Sequence, residues 1–329
     1  MESATNTAKL VHGGAVDAAP VDATGVAVPP AGAPAEVVGR SLGGLLRDYL
    51  ALTKPRIIAL LLVTTVATMF VADPSGPALT TILWTMVGGY LAAGGAGAIN
   101  QYLDRDRDAR MDRTRGRPLV AGRIRPLHGL VFGIALGAVA TAELAIAVNV
   151  LAAALALAGL LGYVFLYTVW LKPLTPQNIV IGGSAGALPP LVGWAAATGG
   201  LSLDALYPFG IVFMWTPPHF WALSLLIKDD YARTGIPMLP VVRGEAATRR
   251  QILAYAAGLT ALTIAPVLTG LFGAIYLVAA LVLGAAFTAM AAWLATRPSR
   301  RAALRLYLFS LLYLALLFCA MSADRLILG

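Results

Sequence analysis

Apolar runs of about twenty residues alternate with short polar connections along this chain, and the fold follows from that alternation. Nine such runs cover approximately 56–72, 79–101, 127–146, 149–170, 177–197, 204–226, 250–270, 272–294 and 303–322. A helix rising about 1.5 Å per residue needs about twenty residues to cross roughly 30 Å of hydrocarbon. Because the runs are continuous and do not alternate apolar with polar, strands of a barrel are excluded; in lipid each segment must satisfy its own backbone hydrogen bonds. The pattern predicts an all-α polytopic membrane protein with nine transmembrane helices. Residues 1–45 are rich in Ala, Val, Gly and Pro and show neither period. They read as a disordered tail ahead of a single intramembrane domain over 46–329.

Composition agrees, and charge adds direction. The 329 residues are 59% hydrophobic and 12% charged, where a soluble domain carries about 25% charged residues. Of the 24 Lys and Arg residues, 23 fall on one side of the nine-span arrangement, which assigns the amino terminus and the charged loops to the cytoplasm and the carboxyl terminus to the outside. The same placement accounts for the net charge of +8 without nucleic acid. Cys319 is the only cysteine, so an intrachain disulfide and a thiolate metal cluster are both excluded.

One stretch breaks the apolar character. NQYLDRDRDARMDRTRGRPL, from Asn100 to Leu119, packs four aspartates and six arginines into twenty residues where the second run ends. Asn100, Asp104, Asp108 and Asp112 recur every four residues, a turn of about 400° and a rise of about 6 Å, so a helix would align them as a ladder of oxygens on one face. Asp106 falls off that stripe. Like charges so placed repel, and two compensations stand open: the interleaved arginines of a solvated loop, or a divalent ion such as Mg²⁺, which takes hard oxygen ligands and is commonly shared with substrate phosphates. A second acidic cluster, Lys228, Asp229, Asp230 and Tyr231, ends the sixth run on the same side of the membrane. Two such clusters at matching depth suit a pair of ions on a leaving diphosphate. Glycines at 88, 89, 94, 95, 97, 182, 183 and 186 mark either tight helix packing or room for a ligand.

These residues carry a resemblance. Asn100-x-x-x-Asp104-x-x-x-Asp108 at the end of the second of nine helices resembles the first aspartate-rich motif of the UbiA-type intramembrane prenyltransferases. LTKPRI from Leu52, the stretch from Tyr167 through NIVIGGSAGALPPLVGW to Trp194, PPHFWALSL from Pro217 and DYARTGIPMLPVV from Asp230 are similar to the branch of that family that prenylates heme. The resemblance covers most of the chain from about residue 48. It implies helices around a central cavity in the cell (inner) membrane, a site on the cytoplasmic side, and Mg²⁺-dependent farnesyl transfer from farnesyl diphosphate to a vinyl group of protoheme.

In that reading Asn100, Asp104, Asp108 and Asp230 are catalytic, and the same four with Asp229 hold metal. Lys54, Arg56, Arg113, Arg117, Lys172 and Lys228 are diphosphate partners, while Tyr102, Tyr163 or Tyr167 offers a ring face to an allylic cation. The family's second motif commonly has aspartates four residues apart, whereas here Arg233 and Thr234 occupy the corresponding positions, leaving the adjacent pair Asp229 and Asp230. His219, deep in the sixth run after two prolines, either contacts heme or bonds a carbonyl freed by Pro217 and Pro218. A quinone or chlorin acceptor is the enzymatic alternative. A transporter is the alternative of another class, disfavoured because the acids cluster at one surface and not at the midplane.

Overall fold

The computed structural model describes residues 41–328, so the tail reading falls largely outside the described residues. Among the described residues the regular structure is helical, with nine segments long and apolar enough to cross a membrane. Helix α1 (Leu42–Thr53) begins within the last residues read as tail. Ser41 caps it, the Oγ accepting from the Gly44 amide at 3.2 Å. Leu42, Leu46 and Leu50 are exposed on α1 at four-residue spacing, the pattern of a helix lying at a membrane surface.

Lys54 alone joins α1 to α2 (Pro55–Ala72), with φ 59°. Pro55 disfavours helical geometry in the residue before it and suits the first position of a helix, so the break falls on Lys54. Helix α3 (Leu79–Asp108) outruns its apolar stretch by about two turns and carries Asn100, Asp104 and Asp108 in helical register. Asp112 does not join that ladder. Thr114 folds back so that its Oγ1 donates to the Asp108 carbonyl (2.8 Å), and the Met111 amide donates to the same oxygen (3.2 Å). The helix stops there, and Asp112 lies in an exposed turn.

Helix α4 (Pro126–Ala147) packs along α3 backbone to backbone: a Cβ on Gly95 would sit 2.7 Å from the Gly133 carbonyl. Helix α5 (Val150–Leu161) runs into a π-helical segment (Gly162–Leu171) and a closing turn, α6 (Lys172–Leu174). The Lys172 amide donates to the Tyr167 carbonyl five residues back, and Thr168 Oγ1 donates to Tyr163 O at 2.8 Å. The fifth span is broken into α7 (Asn178–Gly186) and α8 (Leu188–Thr198), whereas α9 (Leu206–Leu226) continues through Pro217 and Pro218. After α10 (Lys228–Arg233) and the turn α11 (Leu239–Val242) come α12 (Gly244–Leu268), α13 (Ala274–Thr296) and α14 (Arg300–Leu328).

The last span packs on the first, closing the bundle, and Ser322 Oγ donates to Ala67 O at 3.0 Å across that seam. Large aromatics fill the late helices, with Trp221, Tyr276, Phe287 and Tyr313 fully buried; Ala and Gly dominate the contacts among the early ones. Lipid tails are as apolar as the side chains, so close fit holds membrane helices together more than burial does. The tightest backbone fit among the glycines is between α2 and α8, where a Cβ on Gly193 would overlap the Thr65 carbonyl. Gly193→Ala is expected to cost about 1–3 kcal/mol by overpacking, read as a lowered Tm in detergent. Gly43→Ala, which meets nothing within 4 Å, should leave the Tm unchanged or slightly raised.

Candidate active site

Three separate segments converge on the end of α3. Asn100, Asp104 and Asp108 are 4%, 1% and 4% exposed, deep enough that unpaired carboxylates would be costly. Each has a cation. Lys54, at the α1–α2 break, donates to Asn100 Oδ1 at 2.7 Å. Lys172, at the end of the π-helical segment, donates to Asp104 Oδ2 at 2.5 Å, and Arg117, from the connection after α3, to Asp108 Oδ2 at 2.5 Å. Arg107 adds a longer contact to Asp104 Oδ1 at 3.3 Å. The Asn100 amide is oriented by this network: a lysine only donates, so Oδ1 faces Lys54 while Nδ2 donates to Asp104 (2.8 Å) and Thr168 (3.1 Å). Burial, then the neighbouring Arg117 and Lys172 charges, push the Lys54 ammonium down to about 7.

The same Lys54, with Tyr163, also lines a cavity of about 240 Å³ between α2, α3, α5, α7 and α8. Its other walls are almost wholly apolar and include Ala92, Ala96, Gly97 and Gly159. Tyr163 stacks on Tyr167 at 5.4 Å between centroids, and Lys54 Nζ lies 5.9 Å from the Tyr163 ring centre. Tyr102 is placed elsewhere, under the Arg105 guanidinium and against the Leu119–Ile124 cluster. Both readings of the glycines hold, and Gly97 meets both, lining the cavity while packing on the Leu52 carbonyl. Gly95, Gly182 and Gly183 meet neighbours closely, whereas Gly89 and Gly186 line the cavity.

The second acidic cluster arrives on α10. Asp230 is buried and paired with Arg233, which also bonds Asp112 at 2.8 Å and so ties the two polar connections together; Asp229 is exposed. Lys228 turns toward α12 and bonds Glu245 at 2.5 Å, which removes its ammonium from the converging set. Arg56 is exposed at the start of α2 and Arg113 in the connection. Tyr231 is what links the motifs: buried, it lies in electrostatic reach of Arg113, Arg117, Asp104 and Asp230, and burial pushes its phenol up. His219 sits between Trp215 (4.2 Å) and Tyr307 (4.9 Å), with Nδ1 2.6 Å from Ser310 Oγ. It thus bonds a serine of α14, not a carbonyl released by the prolines.

Among the described residues no three His, Cys, Asp or Glu side chains converge as a self-sufficient metal site. The buried amide and carboxylate oxygens of Asn100, Asp104 and Asp108, flanked by cations, instead fit a hard divalent ion held by few protein ligands and completed by substrate oxygens. Of the residues that sequence reasoning missed, Arg107 was legible as the i+3 partner of Asp104. Thr168 was not, because only the π-helical turn brings it to Asn100. Lys172→Met removes one partner of a buried carboxylate and is expected to cost about 1–3 kcal/mol. A double-mutant cycle with Asp104→Asn, read by thermal unfolding, should recover part of that loss.

In this nine-span helical bundle, buried carboxylates and cations lie at the mouth of an apolar cavity. The chain belongs to the UbiA prenyltransferase family, whose sequence model matches residues 61–317. It is 53% identical over 283 residues to a protein of Roseiflexus sp. (strain RS-1) named protoheme IX farnesyltransferase, covering 86% of this chain and 53% of that one. A protein of Symbiobacterium thermophilum with the same name is 52% identical over 284 residues, 86% of this chain and 95% of its own. The chain spans about half the length of the Roseiflexus, Chloroflexus and Thermus relatives it matches.

Among solved structures, a digeranylgeranylglyceryl phosphate synthase matches with TM-score 0.71 at 17% identity, over 86% of this chain and 99% of its own. A UbiA homolog from Archaeoglobus fulgidus bound to GPP and Mg²⁺ matches with TM-score 0.62 at 18% identity, over 84% and 99%. At that identity the likeness establishes the shared fold.

Proposed function

We propose that the chain transfers a farnesyl group from farnesyl diphosphate to a vinyl group of protoheme IX, with water adding to give the hydroxyethylfarnesyl side chain of heme O. The observation that carries this reading is the joint at Lys54. One ammonium belongs both to the buried network of Asn100, Asp104 and Asp108 and to the mouth of the apolar cavity, so a diphosphate bound at the first would lay its isoprenoid in the second. The heme acceptor is supported by the names of relatives at 52–53% identity.

Lys54, Lys172 and Arg117 bind and orient the diphosphate, with Arg113 at the rim; guanidinium and ammonium groups in a dry site favour the charge that gathers on the leaving oxygens. Asn100, Asp104 and Asp108 are the residues that would hold Mg²⁺, with Asp230 approaching from α10. When bound, that ion neutralises the leaving diphosphate. As the C1–O bond breaks, the stacked faces of Tyr163 and Tyr167 stabilise the allylic cation, and the helices exclude water from it. The vinyl carbon then forms the new C–C bond, and water captures the cation left beside the macrocycle, releasing a proton. His219, with Nδ1 engaged by Ser310, has Nε2 left for contact with the heme. By the positive-inside distribution the site faces the cytoplasm from the cell membrane.

Purified protein supplied with protoheme, farnesyl diphosphate and Mg²⁺ should yield extracted heme heavier by one farnesyl group plus one hydroxyl group; a folded preparation that leaves heme unchanged would overturn the proposal. Asp104→Ala and Asp108→Ala should each lower turnover by at least about 10²-fold while the protein remains monodisperse. Chelation should abolish turnover and Mg²⁺ should restore it.

A further inference from the structure

The lining of the cavity that begins at Lys54 runs a definite length along its helices. From Lys54 to Thr65, the deepest lining residue on α2, is eleven residues, about 16 Å of helical rise. On α3 the lining runs from Gly97 back to Gly89, eight residues or about 12 Å. An extended isoprene unit adds four carbons to the chain, about 5 Å at ordinary bond lengths, so three units reach about 15 Å and a fourth would need about 20 Å.

Packing is tight where that lining stops. At Thr65 the backbones of α2 and α8 touch, with no room for a methyl group on Gly193. One turn beyond, Met69 is fully buried and belongs with Ala153, Val192 and Ala196 to a packed cluster, of which Val192 faces the cavity. Gly89 completes this layer: a Cβ there would lie 3.3 Å from Leu62 Cδ2, itself a lining atom, so any side chain at 89 takes its volume from the deep end. On α3 the wall nearer the head is Ala92, Ala93, Ala96 and Gly97, which set width without setting length.

We propose that the layer formed by Thr65, Gly89 and Val192 is a gauge that limits the prenyl donor to three isoprene units, an inference that rests on reading the cavity as the donor's tail site. The gauge predicts opposite shifts from two substitutions. Gly89→Val shortens the cavity and should weaken farnesyl diphosphate relative to geranyl diphosphate by at least about tenfold, the scale at which a hydrophobic pocket discriminates chain increments. Val192→Ala deepens it and should improve geranylgeranyl diphosphate relative to farnesyl diphosphate by a similar factor.

The test measures binding of all three diphosphates to the full chain in the presence of Mg²⁺, by displacement of a labelled farnesyl analogue, with product chain length by mass as a second readout. Ratios moving in opposite directions in the two variants support the gauge, since general damage lowers all three ligands together. Unchanged ratios with intact binding would overturn the gauge alone. Wild-type protein that binds none of the three would instead overturn the donor reading, and the gauge with it.

Discussion

The whole arrangement depends on neutralising two carboxylates, and hydrogen-bonding an amide, that α3 carries to a buried position. A carboxylate taken from water is tolerated only when it is paired and hydrogen-bonded, because the low dielectric that makes the pair strong makes the lone charge expensive. Asp104 and Asp108 therefore require Lys172 and Arg117, and Asn100 holds Lys54 beside them. The partners come from positions 54, 117 and 172, so the network is also a tertiary clamp. Lys54 shows its cost: burial first, and then the neighbouring Arg117 and Lys172 charges, depress its ammonium.

Backbone irregularities deliver those partners. Lys54 has a left-handed φ just before Pro55, which disfavours a helical one, and the resulting corner turns its side chain from a surface helix toward α3. The π-helical segment rotates Tyr163, Thr168 and Lys172 relative to an ordinary helix, so that one stretch supplies an aromatic wall, a hydroxyl for Asn100 and a cation for Asp104. Such segments are uncommon and recur at functional sites. The extra turns of α3 keep Asn100 and Asp108 in phase, and the fold-back of Thr114 ends the helix just after the last of them.

The apolar half obeys a different rule. In lipid the early helices gain by fit, and glycine lets α3 meet α4 and α8 meet α2 at the backbone. Where two glycines, at 89 and 186, are left without such close contact, the result is a cavity and not a seam. The same residue type therefore builds the wall and the space.

The nine spans and the phase of Asn100, Asp104 and Asp108 were legible in the sequence, because crossing hydrocarbon demands a fixed number of apolar residues and a helix returns a side chain to the same face every four. The pairing of charges was not. Lys54, Arg113, Arg117, Lys172 and Lys228 all look alike as basic residues beside a membrane, and only the packed fold turned Lys228 toward Glu245 while bringing Lys54, Arg117 and Lys172 to the ladder. Asp112 kept the four-residue spacing yet lost the helix, since a hydroxyl two residues further on competed for the carbonyl that would have extended it. Local periodicity determined which residues could share a face; long-range packing decided which of them share a site, because burial makes a charge choose a partner and sequence spacing alone does not.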